Sequence, residues 1–192
     1  MINALSDLEH PCQALTDIMT IKEKKGKLKN INLAYIGDGN NVANSLLLAA
    51  VYTGINFRIA CPPGYAIKTE IWQKAKGFAS NSGSQVVLSD GPDQAAKDAD
   101  VVYTDVWTSM GQEVESAIRR KAFARYQVDA RLLSLARKDA IFMHPLPAHQ
   151  GEEVAAGIIS SPQSVVFDQA ENRLHAQKAL LVEIFKGAGR TR

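Results

Sequence analysis

The chain has 192 residues, enough for one domain or one and a half. A hydrophobic share of 46% supports a real core, and a formal charge of +2 gives no electrostatic case for nucleic acid or a membrane surface. Two cysteines, Cys12 and Cys61, suggest neither a disulfide framework nor a zinc site, and MINALSDLEH lacks the pattern of a signal peptide, so the expectation is a soluble cytoplasmic protein.

Pro11 suits a first helical position, and Leu15, Ile18, Met19 and Lys22 follow at helical spacing. The basic run Lys22–Lys29 reads as a solvated helix end. A strand is expected over Ile31–Ile36, then a loop, Gly37-Asp38-Gly39-Asn40. Asn41–Tyr52 is apolar nearly all round, which predicts a buried helix. Phe57–Ala60 reads as a strand, broken at Cys61-Pro62-Pro63-Gly64. Then come a helix over Ile67–Ala79, a strand over Gln85–Leu88, a short helix over Asp93–Ala99 and a strand over Val101–Thr104. Glu113–Arg125 and Asp129–Arg137 read as helices, Ile141–Met143 as a strand and Val165–Phe167 as a short strand. Glu171–Lys186 reads as the last helix.

Strands alternating with helices imply an α/β fold, an open doubly wound parallel sheet of about five strands with helices on both faces. Ligands in such Rossmann-like sheets sit outside the carboxyl ends of the strands. The polar motifs fall there. Asp38-Gly39-Asn40-Asn41 follows the first strand, Asp105 the fourth, and His144-Pro145-Leu146-Pro147 the fifth.

Each motif has a plainer reading. GDGNNVAN begins like a dinucleotide fingerprint but has Val42 at the third glycine position, and the second strand ends in Cys61 rather than an acid. Asn41 is placed to meet an anion at a helix start, or to act only as an N-cap. His10 and Gln13 lie about one turn apart and face one ligand, or His10 is a cap or surface residue. Pro145 and Pro147 force an extended path that aims backbone carbonyls, or build only a stiff loop. His144 and His149 lack a third metal ligand at suitable spacing, so no metal is expected. The stretch DVWTSMGQE, Asp105 to Glu113, leaves a strand through an acid and a flexible turn, a chemistry suited to clamping an amino acid's ammonium.

SDLEHPCQALTD, IGDGNNVANS, DVWTSMGQE, FMHPLPAHQGEEV and FDQAENR, in that order, resemble the transcarbamoylase family, most closely its ornithine-using branch. The resemblance runs from Asn3 to Phe185 and implies the second, amino-acid-binding domain over residues 1–170. A terminal helix and tail over residues 171–192 would pack on a first domain that carries Ser-x-Arg-Thr, a motif absent here. It implies binding of L-ornithine and carbamoyl phosphate, transfer of the carbamoyl group to give citrulline, no metal or organic cofactor, and a trimer-based homo-oligomer for the whole enzyme. The isolated domain would be a monomer or weak dimer, inactive by itself. By the same resemblance, His10 and Gln13 hold the carbamoyl group, with Arg173 at the carbamoyl phosphate. Asn41 and the backbone N–H of Met110 take the α-carboxylate, Asp105 and Ser109 take the α-ammonium, and the Leu146 carbonyl accepts from the carbamoyl amide beside His144. A cis Leu146–Pro147 bond is expected.

One position departs from the family pattern. Pro145 stands where ornithine-using members carry cysteine, as in the aspartate branch, and proline offers neither thiol nor N–H. Two alternatives follow: a carbamoyltransferase for another amine, or a non-catalytic ornithine-binding module.

Overall fold

The strand β1 (Asn32–Ile36) lies at the centre of a five-stranded, all-parallel sheet and shows why the chain layers as it does. Leu33 and Tyr35 face one core, and Ala34 and Ile36 face the other. All four are fully buried, so both faces must be covered, as expected of a parallel sheet. The computed structural model describes residues 3–109 and 111–188.

The strand order is β3 (Val86–Leu88), β2 (Asn56–Ala60), β1, β4 (Val101–Thr104) and β5 (Ile141–Met143). The chain winds outward from β1 on one side, then returns to its other side. The switch in direction therefore lies between β1 and β4, whose last residues, Ile36 and Thr104, are in register. Thr104 Oγ1 donates to the Ile36 carbonyl at 2.7 Å and ties the two strand ends together.

The first face carries α1 (Pro11–Lys25), α2 (Asn41–Thr53) and α3 (Thr69–Ser82). Its core includes Tyr35 stacked between Phe57 and Tyr103, with ring centroids 6.2 and 5.5 Å apart. The second face carries α4 (Pro92–Ala96) and α6 (Ala130–Ser134), with small residues such as Ala95, Ala96 and Ala99 packed close against the sheet. A 3-10 turn, Glu113–Glu115, leads into α5 (Ser116–Phe123). The last helix, α7 (Val166–Ala188), packs its first half against α1. No helix among the described residues is long and apolar enough to cross a membrane.

Several element boundaries move from the sequence reading. Val165–Phe167 is not a strand. Only Ser164 bridges to Phe142, and helix α7 already begins at Val166, five residues before the expected Glu171. The β-branched pair reads as strand by propensity, but Val166 is fully buried against the second face, and packing overrides that weak preference. The helix expected over Asp129–Arg137 shrinks to five residues. Asp129 caps it through the Leu132 N–H, and the chain turns at once to place Arg137 N–H on the Ala99 carbonyl.

Gly39 is where the loop after β1 meets another backbone. Its N–H donates to the Tyr65 carbonyl at 2.8 Å, and a Cβ placed there would lie 2.4 Å from Ile67 N and 2.5 Å from Ala66 C. Backbone cannot yield like a side-chain tip. Gly39→Ala should therefore cost about 1–3 kcal/mol as an overpacking substitution. Urea unfolding checks this, and an unchanged midpoint would refute it.

Candidate active site

The exits of β1, β4 and β5, with the start of α1 and one turn of α7, enclose a cavity of about 760 Å³. His10, Asn41, Asp105, Ser109, Pro145, Leu146 and Arg173 all line it. Seven residues spread from position 10 to 173 thus meet in one space. Gln13 and His144 do not line it, and Met110 lies outside the described residues.

Asp105 ends β4 at the switch point and is 6% exposed. Its Oδ2 accepts from Asn40 Nδ2 at 2.7 Å and its Oδ1 from the Val106 N–H at 2.8 Å. Burial raises its carboxyl above the ordinary aspartate value, opposed by His144 and by the Asn40 and Val106 bonds. A cation entering the cavity would relieve that desolvation.

Asn40 carries this arrangement. It is the true N-cap of α2, accepting from Ala43 N–H through Oδ1 while its amide holds Asp105. Asn41, which the sequence offered as a cap, is the first helical residue. Its Oδ1 meets Val42 N–H and its amide donates to the Ser6 carbonyl at 2.8 Å. The side chain reaches the cavity wall without capping the helix.

The loop after Asp105 is tied by its own backbone N–H groups and side chains. Ser109 N–H donates to Gln112 Oε1 at 3.1 Å, Gln112 N–H to the Ser109 carbonyl at 3.0 Å, and Gly111 N–H to Glu113 Oε1 at 2.9 Å. Gly111 has φ +85°, a left-handed turn that suits glycine. Arg119 of α5 latches the loop from below. It donates to Asp38 Oδ2 at 2.7 Å, to the Trp107 carbonyl at 2.9 Å and to Glu115 Oε2 at 3.1 Å, with its guanidinium 5.0 Å from the Tyr65 ring centre.

His10 precedes Pro11 but caps nothing. Its backbone N–H donates to Ser45 Oγ at 2.8 Å, and its Nδ1 is enclosed without a hydrogen-bond partner among the described residues. Burial, then the nearby Arg173 charge, lowers its pKa and so favours the neutral imidazole, which keeps one donor and one acceptor. Gln13 is nearly buried. Its amide donates to Asp17 at 2.8 Å and its carbonyl accepts from Arg173 at 3.3 Å. It stands beneath the guanidinium rather than on the cavity wall.

His144 is likewise turned inward. The ring is fully buried, its Nδ1 accepts from the Leu146 N–H at 2.9 Å, and its Nε2 lies 3.3 Å from the buried Glu153 carboxylate. An acceptor Nδ1 places the proton on Nε2. The ring therefore points away from the cavity, and the residue shapes the loop that follows. Leu146 has φ +49°, and the Leu146–Pro147 bond is cis, as expected. His149 also lines the cavity.

Asn40, Asp17, Gln169, Glu153 and Arg119 take part in the site's contacts without standing out in the sequence. Asn40 lies in the GDGNN motif, and an Asn directly before an apolar helical run is a legible cap signal. The others stand in helices or loops as ordinary polar residues, and only their partners reveal them.

A family model for the aspartate/ornithine carbamoyltransferase Asp/Orn binding domain matches residues 29–184. The chain is 57% identical over 188 residues to an ornithine carbamoyltransferase of Bacillus subtilis, covering 97% of this chain and 59% of that protein. One from Acidothermus cellulolyticus is 53% identical over 189 residues, covering 98% and 61%. Among solved structures, an ornithine carbamoyltransferase from Pyrococcus furiosus superposes with a TM-score of 0.89 at 54% identity, over 93% of this chain and 57% of that one. The anabolic ornithine carbamoyltransferase of Campylobacter jejuni gives 0.90 at 43% identity, over 97% and 62%. The chain thus spans about 60% of the length of these relatives.

Proposed function

The chain belongs to the aspartate/ornithine carbamoyltransferase family, and on that premise we propose that its cavity is the ornithine half of a carbamoyl-transfer site. The observation that carries this reading is Asp105: a buried carboxylate at the switch point, held by Asn40, with Ser109 and Asn41 on the same wall. That is the chemistry of an amino-acid clamp. Asp105 and Ser109 take the α-ammonium, and Asn41 takes the α-carboxylate. The side-chain amine then points toward Pro145, the Leu146 carbonyl and His10.

In the reaction the neutral amine attacks the carbamoyl carbon, a C–N bond forms, the C–O bond to phosphate breaks, and the proton the amine loses passes to the departing phosphate. Neutral His10 donates toward the developing oxyanion, the Leu146 carbonyl accepts from the carbamoyl amide, and Arg173 faces the phosphate. Fixed approach and aimed donors supply the acceleration. Gln13 acts here by steering Arg173. A phosphate dianion calls for further donors, which we place in the part of the longer relatives that this chain does not span. The α7 flank supports that placement, since Leu174, Leu181, Val182, Ile184 and Phe185 stand exposed on it. The chain by itself should then give no measurable citrulline from ornithine and carbamoyl phosphate. Robust turnover by the monomer would refute this division of labour.

Pro145 lines the cavity without a thiol, so the amine is positioned by carbonyls and shape. This favours comparing ornithine with other amines rather than assuming it. Asp105→Asn removes a charge-assisted contact while keeping the acceptor toward Asn40, and should weaken ornithine binding by about 1.5–3 kcal/mol. Calorimetry with L-ornithine, putrescine and aspartate checks the reading. Unchanged ornithine affinity in the variant, or equal binding of putrescine, would sink it.

A further inference from the structure

Beneath the cavity lies a carboxylate that touches no ligand space. Asp17 of α1 is fully buried, and its three hydrogen-bond partners are neutral. Two glutamines meet the same oxygen: Gln13 Nε2 donates to Oδ1 at 2.8 Å, and Gln169 Nε2 donates to it at 2.7 Å. Oδ2 accepts from the Tyr103 hydroxyl at 2.9 Å.

An amide side chain carries a donor end and an acceptor end, and which end points where is set by its partners. An oxygen that accepts from both glutamines decides both flips at once. Gln13 is left with its carbonyl toward Arg173, at 3.3 Å, and Gln169 with its carbonyl toward the His144 N–H, at 2.9 Å. Either amide reversed would set donor against donor, one of them a guanidinium. His144 in turn holds the Leu146 N–H through its Nδ1, which fixes the Pro145–Leu146 peptide where the loop enters the cavity wall.

We infer that Asp17 is a positioning residue: by setting the flips of Gln13 and Gln169 it aims the Arg173 guanidinium and, through His144, holds the Pro145–Leu146 peptide at one end of the cavity. The inference rests on the reading of that end as the carbamoyl side. It does not depend on Asp17 being ionised. A proton on the carboxyl goes to Oδ2, where the Tyr103 hydroxyl reverses to accept it, and Oδ1 remains an acceptor. Asp17→Asn has the same capacity, with its NH2 toward Tyr103. Asp17→Leu has none.

The experiment is a calorimetric titration of this chain with L-ornithine and with a bisubstrate analogue, a phosphonoacetyl group joined to the side-chain amine of ornithine. The chain is compared with Asp17→Asn, Asp17→Leu, Arg173→Ala and the Leu/Ala double variant. Analogue affinity should fall roughly tenfold or more in Asp17→Leu and stay within roughly threefold in Asp17→Asn, one to two hydrogen bonds' worth. The Leu substitution should cost clearly less in the Arg173→Ala background, because the two act in one chain of contacts. Equal losses in both backgrounds, or an Asn variant as weak as the Leu variant, would overturn the inference. A second measurement needs no variant. The side-chain NH2 protons of Gln13 and Gln169 should exchange slowly with solvent in the unsubstituted chain, and fast exchange of either would also overturn it. If the chain binds neither ornithine nor the analogue, the carbamoyl-transfer reading falls, while the amide exchange still decides the positioning claim.

Discussion

Arg119→Met should destabilise the fold by about 3–5 kcal/mol near pH 8, the usual cost of removing one partner from a buried ion pair. Arg119 and Asp38 are both nearly buried, with side chains 8% and 9% exposed. Methionine keeps much of the stem's volume but leaves the Asp38 carboxylate without its cation. Burial already raises Asp38 above the ordinary aspartate value, and the Arg119 bond is the main force pulling it back. Without Arg119 the carboxyl rises further, so it protonates in the folded state at a higher pH. The penalty should therefore shrink as pH falls toward 5 and grow as it rises. Urea unfolding of both proteins at pH 5 and pH 8 checks the prediction, and a pH-independent difference would refute it. The Trp107 carbonyl also loses its donor, so ornithine affinity should drop alongside.

Asp17 should make stability fall with rising pH, relative to Asp17→Asn, by about 4 kcal/mol in total. Its carboxyl is raised from 3.8 to about 7, by burial first, with the Gln13, Gln169 and Tyr103 bonds opposing and Asp105 adding. The folded state therefore holds the proton more tightly than the unfolded chain. That advantage is fully present below about pH 4 and is lost as pH rises through about 7. The variant lacks the titration, so the difference between the two curves isolates Asp17 from the other buried acids. Parallel curves from pH 4.5 to 8 would show that Asp17 titrates normally.

The layered fold was legible in the sequence because its signals are local. Runs such as Val101–Thr104 are buried on both faces, and a parallel sheet demands that. Turn residues after β1, β4 and β5 marked the carboxyl edge, where the cavity lies. Asp105, Asn41, Ser109 and Leu146 lie on or beside those turns, while Arg173, on α7, entered through the resemblance, which also suggested the roles of the others.

What the sequence could not decide were the inward-facing polar contacts. His144 stands in a motif that follows a strand, which placed it at the ligand edge of the sheet. The structure turns it toward Glu153, nine residues on, in a loop with no periodicity to read. Asp17 looks like a polar position on a helix surface, and Gln169 falls in the gap before the last helix as the sequence reads. They are 152 residues apart, and the pair becomes a buried hydrogen bond only when α7 docks on α1. Local pattern determined which segments are apolar enough to pack, and so the sheet and its ends. Which polar groups lose their water was settled by tertiary approach, because desolvation depends on what arrives from elsewhere in the chain.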